Sequence, residues 1–362
     1  MVNFGGWDMP VEYPAPGGLI AEHNSVRRGV GVFDVSHMGD IRIHSGKKAG
    51  GALAAVQHLT MNDASRLAVG QAQYSAMLYP EGTFVDDVIV HRLGADDYLL
   101  VINAGTRDKD VSWVRGNTGN FDCAVDDLSD AFTQLAIQGP RAAEVLGKLT
   151  DAKPDTVKNY WCTHGTVCGL PNTLIARTGY TGEDGFEIYV PSDVATSERV
   201  WNVVIEAGKD FGILPCGLGA RNTLRLEAKM ALYDHEISDK INVWEAGLDR
   251  YCKLEKGDFI GRDALEEARS AGLSRTLVGL EMVERGIARD GYRCLNEQSE
   301  AIGTVTSGSP SPTLCKNIAL AYVPPSYGGL GTAIYVEIRQ QTCKAQVVAT
   351  PFYKRLKKAI AN

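Results

Sequence analysis

QAQYSAMLYPEGTFVDDVIVHRLGADDYLLVINA, residues 71–104, carries the signal that decides the fold. Tyr74, Ala76 and Leu78 alternate as a half-buried strand does, and Pro80-Glu81-Gly82 supplies a turn. Phe84 to His91 forms a second run, which Gly94-Ala95-Asp96 turns into a third, Tyr98 to Ile102. The spacing predicts an antiparallel hairpin series with no regular βαβ beat. Asp86 and Asp87 interrupt the middle run, where burying either carboxylate without partners is costly. Successive strand side chains point to opposite faces, so the two cannot be a proton-sharing dyad; one can enter a pocket while the other pairs on the far side. Alternation does not choose between them, and two aspartates on a sheet edge would read the same way.

Outward from this segment, apolar residues recurring at three and four positions predict helices over Ala21–Arg28, Arg107–Arg115, Pro140–Leu149, Ser192–Gly208, Gly219–Leu232 and Arg262–Ala271. After Leu273 the character changes. Short β-rich runs (Leu277–Met282, Glu300–Thr306, Ile318–Val323, Ala333–Ile338, Thr342–Val348) alternate with Gly, Pro and Ser clusters, the pattern of a small antiparallel barrel. A domain boundary is expected near residue 272. No internal repeat is present, which sets solenoids and propellers aside.

Composition narrows the function classes. The 362 residues are 44% hydrophobic and 22% charged, an ordinary globular balance, and at roughly 150 residues per domain they suggest about two to three domains. Asp and Glu outnumber Lys and Arg by 44 to 37, a net charge of −7, so nucleic acid is not expected as a partner. No apolar stretch approaches the roughly 18 residues of a membrane helix, and MVNFGGWDMP lacks the basic and apolar regions of a signal peptide. A soluble protein of a cytosol-like compartment is expected. The eight cysteines include no CxxC pair; Cys162-Thr-His164 with Cys168 reads more simply as a turn with buried thiols than as half a metal site, and no metal is expected.

Several short motifs could carry chemistry. Residues 177–189, RTGYTGEDGFEIY, bend a loop at Gly179, Gly182 and Gly185 and lead Glu187 into a strand. Such a loop suits a planar heterocycle with a donor edge, a tyrosine covering the ring and a carboxylate receiving two N–H groups; a tight turn before an edge strand fits equally. Gly217 and Gly219 imitate a dinucleotide fingerprint, but Asn222 stands at the third glycine position, and the motif is rejected. Arg221 and Arg225 fall on one helical face, where like charges need an anion between them; Glu187 or a ligand would serve. Ser36-His37 is not a hydrolase pair, because consecutive residues of an extended chain face apart and no G-x-S-x-G elbow exists. The basic tail, with Lys354, Arg355, Lys357 and Lys358, could attract an anion or simply end in solvent.

Taken together, these segments resemble the aminomethyltransferase family, the T-proteins of the glycine cleavage system. The resemblance runs through Phe4-Gly-Gly-Trp-Asp-Met-Pro, Phe33-Asp-Val-Ser-His-Met, Asp86-Asp87, Ala136-Ile-Gln-Gly-Pro, Gly179-Tyr-Thr-Gly-Glu-Asp-Gly-Phe-Glu, Gly217-Leu-Gly-Ala-Arg-Asn, Gly303-Thr-Val-Thr-Ser-Gly and Pro351-Phe, in order along nearly the whole chain. It implies an α+β protein: two interwoven mixed α/β folate-binding parts over residues 1–272 and a C-terminal antiparallel β-barrel over 273–362, in a cloverleaf-like arrangement. It also implies transfer of the methylene carbon of an aminomethyl group, carried on the lipoyl arm of the H-protein, to tetrahydrofolate. The products are 5,10-methylenetetrahydrofolate, ammonia and dihydrolipoyl H-protein. A monomer in the cytoplasm, or in the mitochondrial matrix of a eukaryote, goes with that reading.

Carried over by position, the resemblance assigns the catalytic carboxylate to Asp87, the pterin-edge glutamate to Glu187, its neighbouring arginine to Arg221, and the ring-neighbouring tyrosines to Tyr74 and Tyr180. Met38 and Val101 fall on pocket-wall positions, and Tyr353 on a further one. The competing reading is a folate-dependent demethylase of a small N-methyl or S-methyl donor on the same fold. A folate-binding assembly factor would carry Lys-Gly-Cys where this chain has Lys256-Gly257-Asp258. Two departures stand out: family members usually carry a dozen or more residues ahead of the Phe-Gly-Gly-Trp segment, and Asp234 occupies a position where the family tends to have glycine.

Overall fold

The computed structural model describes residues 1–14 and 17–355; Lys357 and Lys358 of the basic tail lie outside the described residues. The stretch 71–104 forms the expected hairpins, as strands Ala72–Leu78, Phe84–Gly94 and Asp97–Ile102. They continue through Gly39–Ser45 to Cys123–Asp127 in a five-stranded sheet of that spatial order. A second, six-stranded sheet runs in the order Cys162–Val167, Leu170–Ala176, Gly185–Pro191, Phe132–Gln138, Gly31–Asp34, Leu214–Pro215. The chain thus leaves the second sheet at Asp34, builds the first, and returns at Phe132. That exchange interweaves the two N-terminal parts.

Seven helices stand among the described residues: α1 Gly18–Arg28, α2 Gly51–Leu59, α3 Arg107–Thr118, α4 Ala142–Gly147, α5 Val194–Gly208, α6 Leu218–Glu227 and α7 Arg262–Ala271. Ala55, Val56 and Leu59 of α2 and Val111 and Val114 of α3 pack on Ile41, Val88, Val90 and Leu100, covering one face of the five-stranded sheet. Val145 and Leu146 of α4 and Val200 and Val204 of α5 do the same for the six-stranded sheet, against Ile137, Phe186 and Ile188. Each cluster sequesters aliphatic side chains that individually contribute about 1.5–3 kcal/mol on full burial. The uncovered faces meet each other through Leu99, Val101, Leu174, Ala176 and Tyr189. The central cavity opens at that seam.

Two helices differ from the sequence reading. The helix predicted to reach Leu232 ends at Glu227, because Lys229 takes a left-handed φ of 55° and turns the chain back. Helix α2 is absent from the periodicity reading; GALAAVQHL is short, begins after glycine and has no side-chain N-cap. The C-terminal region closes as a six-stranded barrel, in the order Thr276–Met282, Lys316–Val323, Ala301–Ser311, Arg293–Leu295, Ala333–Ile338, Gln341–Val348. Arg293–Leu295, three residues long, is the strand that the run-by-run reading lacks. No helix among the described residues is long and apolar enough to cross a membrane.

Candidate active site in the central cavity

Strand register explains why one aspartate of the pair faces the cavity. Ala76 pairs with Asp87, and Ile89 pairs with both Tyr74 and Val101, so Tyr74, Asp87, Ile89 and Val101 share the face turned toward the second sheet. Asp86 points the other way, into the layer beneath α3, and is fully buried. Opposite, Glu187 pairs with Ala136 and Tyr189 with Gln134, which turns Glu187, Tyr189 and Gln134 toward the cavity while Phe186 and Ile188 enter the core. Val35 and Met38 come from the crossover between the sheets, and Arg221 from the first turn of α6.

The resulting cavity has a volume of about 230 Å³ and brings together Met38, Tyr74, Asp87, Val101, Tyr180, Glu187 and Arg221. Tyr353 is elsewhere: its ring lies 4.0 Å from the guanidinium carbon of Arg27, and its N–H donates to the Glu227 carbonyl, at the joint between α1, α6 and the barrel. Tyr353, expected as a further folate-binding position, is therefore not among the residues that line this cavity. Asn103, Tyr160, Arg250 and Tyr251 line the cavity without having been singled out in the sequence. Asn103 ends an apolar strand, a position where a polar side chain is a usable signal; Tyr251 lies far along the chain and only tertiary packing puts its ring 4.7 Å from that of Tyr74.

The charged groups are held on well-defined partners. Asp87 accepts a hydrogen bond from Asn103 Nδ2 at 2.7 Å and another from the Tyr74 hydroxyl. Burial, reinforced by the negative charge of Asp86, pushes its carboxyl up to about 7, against those two donors. Glu187 accepts from the Thr178 hydroxyl through Oε2, and burial raises its carboxyl above the usual range. Its Oε1 accepts nothing from the described residues. Arg221 does not pair with Glu187; its guanidinium lies 4.5 Å from the Tyr180 ring and 5.7 Å from the Phe4 ring, and burial lowers its affinity for its proton. Nor do Arg221 and Arg225 share an anion. Arg225 is buried, donating to Glu236 Oε2 at 2.7 Å, to Asn222 Oδ1 and to Ser307, so it joins α6 to the barrel.

This arrangement offers a planar guest a stacking surface of tyrosines, a carboxylate with one open oxygen, a guanidinium without a carboxylate partner among the described residues, and a second carboxylate on the opposite sheet. The fingerprint-like glycines have a different explanation. The N–H groups of Leu218 and Gly219 donate to the carbonyls of Pro10 and Val11 at 2.9 and 2.8 Å, capping α6 with the N-terminal segment. A Cβ on Gly217 would stand 2.5 Å from the Val11 carbonyl oxygen. No cluster of three or more metal-ligating side chains exists among the described residues, and Cys162 lies in a strand.

Residues 1–256 match the family model described as the GCVT N-terminal domain, and residues 275–354 match the glycine cleavage T-protein C-terminal barrel domain. Over 359 residues the chain is 65% identical to an aminomethyltransferase of Koribacter versatilis and 67% identical to one of Acidobacterium capsulatum, in each case covering 99% of this chain and 93% of the relative. The crystal structure of glycine cleavage system aminomethyltransferase T from Bartonella henselae is similar with a TM-score of 0.89 at 31% identity, covering 98% of this chain and 94% of that one.

Proposed function

The chain belongs to the glycine cleavage T-protein family and is an aminomethyltransferase, and we propose that its central cavity holds the pterin of tetrahydrofolate with Asp87 beside the reacting nitrogen. The carrying observation is that Asp87, Glu187, Arg221 and Tyr180, from four separate segments, converge on one cavity. The fit to a reduced pterin rests on the donor set. Glu187 Oε1 is open to accept from the amino-pyrimidinone edge, Arg221 can donate to a ring oxygen, and the tyrosines supply apolar faces. Residues 1–272 would form the folate-binding region and 273–362 the barrel domain.

Tetrahydrofolate is a substrate here, and its N5 supplies the nucleophile. The one-carbon centre arrives as an aminomethyl thioether on the lipoyl arm of the H-protein. The carbon–sulfur bond breaks with its electron pair leaving on sulfur, which takes a proton to give dihydrolipoyl H-protein. Bonds from N5 and N10 to the carbon form, and the amine leaves as ammonia. Asp87, as the carboxylate, stabilises the positive charge that develops during this exchange and accepts the proton released from folate nitrogen; Asn103 and Tyr74 keep it aimed. Such electrostatic and proton-transfer contributions are each worth roughly 10²–10⁴-fold. We place the protein as a monomer in the cytoplasm, with the lipoylated H-protein as its partner.

The test is a single turnover with aminomethylated H-protein and tetrahydrofolate, following ammonia release. Asp87→Asn is expected to depress turnover by about 10²-fold or more while folate affinity stays within about tenfold, since its role lies mainly in the transition state. Wild-type turnover in this variant would refute the assignment, and absence of ammonia release by the wild type would refute the substrate.

A further inference from the structure

Asp86, which the proposed chemistry leaves unused, is tied to the cavity by a single side chain. Asn103 Nδ2 donates one hydrogen to Asp86 Oδ1 at 2.8 Å and the other to Asp87 Oδ1 at 2.7 Å, and its backbone N–H donates to Asp86 Oδ2 at 3.0 Å. Thr106 adds a third donor to Asp86, at 2.9 Å. Both N–H bonds of the amide are therefore committed, one to each aspartate, and the amide cannot turn over without presenting its oxygen to two carboxylates.

Resting on the reading of Asp87 as the catalytic carboxylate, we propose that Asp86 is a positioning residue: a buried anion that locks the Asn103 amide as a fork and thereby aims Asp87 and sets its readiness to hold a proton. The packing behind Asp86 supports a fixed single charge. Asp110 of α3 is fully buried and neither of its oxygens accepts a hydrogen bond from a described donor; Lys109 Nζ, 3.8 Å away, is spent on the Val85 carbonyl and the Tyr233 hydroxyl. An ionised Asp110 there would have the Lys109 ammonium at 3.8 Å to offset its burial, beside the repelling Asp86. It instead keeps its proton, pushed up to about 10 by burial and then by Asp86, and hydrogen-bonds Asp86. Behind the strand, Asp86 thus meets a carboxyl that keeps its proton, while Asp87 faces the cavity on the other side.

Two influences on Asp87 then oppose each other. The Asp86 charge raises its proton affinity, and the Asn103 fork lowers it. The other titratable groups facing Asp87 are Tyr74, Tyr160, Tyr180, Tyr251 and Arg221, and those facing Asp86 are Lys109, Asp110 and Tyr233. None of them bridges the two aspartates.

The experiment is the pH dependence of single-turnover methylene transfer in the full-length protein, read at its acid limb. Asp86→Asn removes the charge, and the limb is expected to move down by about one pH unit. Asn103→Ala removes the donor, and the limb is expected to move up. Asp110→Asn exchanges one neutral donor for another, and the limb is expected to stay within about 0.3 units of wild type. A role confined to packing would lower the amplitude in all three without moving the limb. An unmoved limb in folded Asp86→Asn, or a downward shift in Asp110→Asn, overturns the proposal. If Asp86→Asn does not fold, an unmoved limb in Asn103→Ala overturns it alone. Asp87→Asn run alongside separates the two failures: if it keeps wild-type turnover, the reading of Asp87 is wrong; if it is inactive while the limbs of the others stand still, only the positioning role of Asp86 is wrong.

Discussion

Glu187 and Arg221 illustrate how single residues behave in this site. Both are half-buried, yet neither answers the other's charge: Glu187 leans on Thr178 and Arg221 on aromatic rings. Each retains capacity for a guest. Replacing Glu187 by Ala should therefore weaken tetrahydrofolate binding by about 10- to 100-fold, the worth of a hydrogen bond to a charged group, with a smaller change in the rate from the bound state. Arg221→Ala should do the same. Calorimetric affinities that match wild type would contradict the pterin-edge assignment. Asp87 adds a pH signature. With its carboxyl at about 7, the reactive carboxylate form predominates only above that pH, so turnover should fall as pH drops through 7, whereas an ordinary aspartate would hold activity down to about 4. His37, packed on Phe4 near Arg221, contributes no such limb: it is buried, both ring nitrogens lack a partner among the described residues, and burial, then Arg221, lowers it to about 3. Asp234 takes a left-handed φ of 65°, a conformation that glycine accommodates more readily.

Lys256 shows what an element needs from outside itself. Its ammonium reaches the end of α2, donating to the carbonyls of Gln57 at 2.6 Å, Asn62 at 3.2 Å and Thr60. These are orphan acceptors that a helix C-terminus leaves behind. In the Lys256-Gly257-Asp258 stretch the lysine is thus a cap for a helix that follows Gly50 and lacks a side-chain cap at its own start. Lys256→Met keeps the apolar stem and removes the donors. It should cost about 2–3 kcal/mol, through buried carbonyls left unsatisfied, with the loss visible as a lower Tm and little change in folate affinity. An unchanged Tm would mean that water replaces the ammonium. Helix α6 is supported in the same manner by the carbonyls of Pro10 and Val11. Neither support is legible from periodicity, because the donor or acceptor comes from residues remote in the chain.

At the scale of the molecule, one buried polar joint fastens the barrel to the two N-terminal parts. Glu227 at the end of α6 receives Arg27 from α1 at 2.8 Å and Ser311 and Thr313 from the barrel, while His23 lies 3.4 Å away. Burial opposes its charge, but the hydrogen bond and charge of His23, then Ser311 and Arg27, hold its carboxyl down at about 2. A group depressed in the folded state contributes stability above its unfolded value and loses that contribution as pH falls through its folded value. Stability should therefore decline between about pH 4.5 and 2 as Glu227 takes up its proton. Glu227→Gln should flatten that part of the unfolding curve while lowering stability at neutral pH; an identical acid transition in the variant would remove Glu227 from the account. The sequence by itself determined the hairpins of residues 71–104, the change to a barrel after Leu273, most helices and the strand that presents Glu187, because those features arise from local periodicity and turn chemistry. It also carried the motifs on which the family resemblance, and with it the proposed role of Asp87, rests. Only the tertiary structure decided that Asp87 and Glu187 face one cavity from two sheets, that Arg225 and Tyr353 belong to the barrel joint, and that Asp86 meets Asp110 behind the site. Pairing between distant segments depends on which faces are left uncovered after the helices dock, and that is a property of the assembled layers.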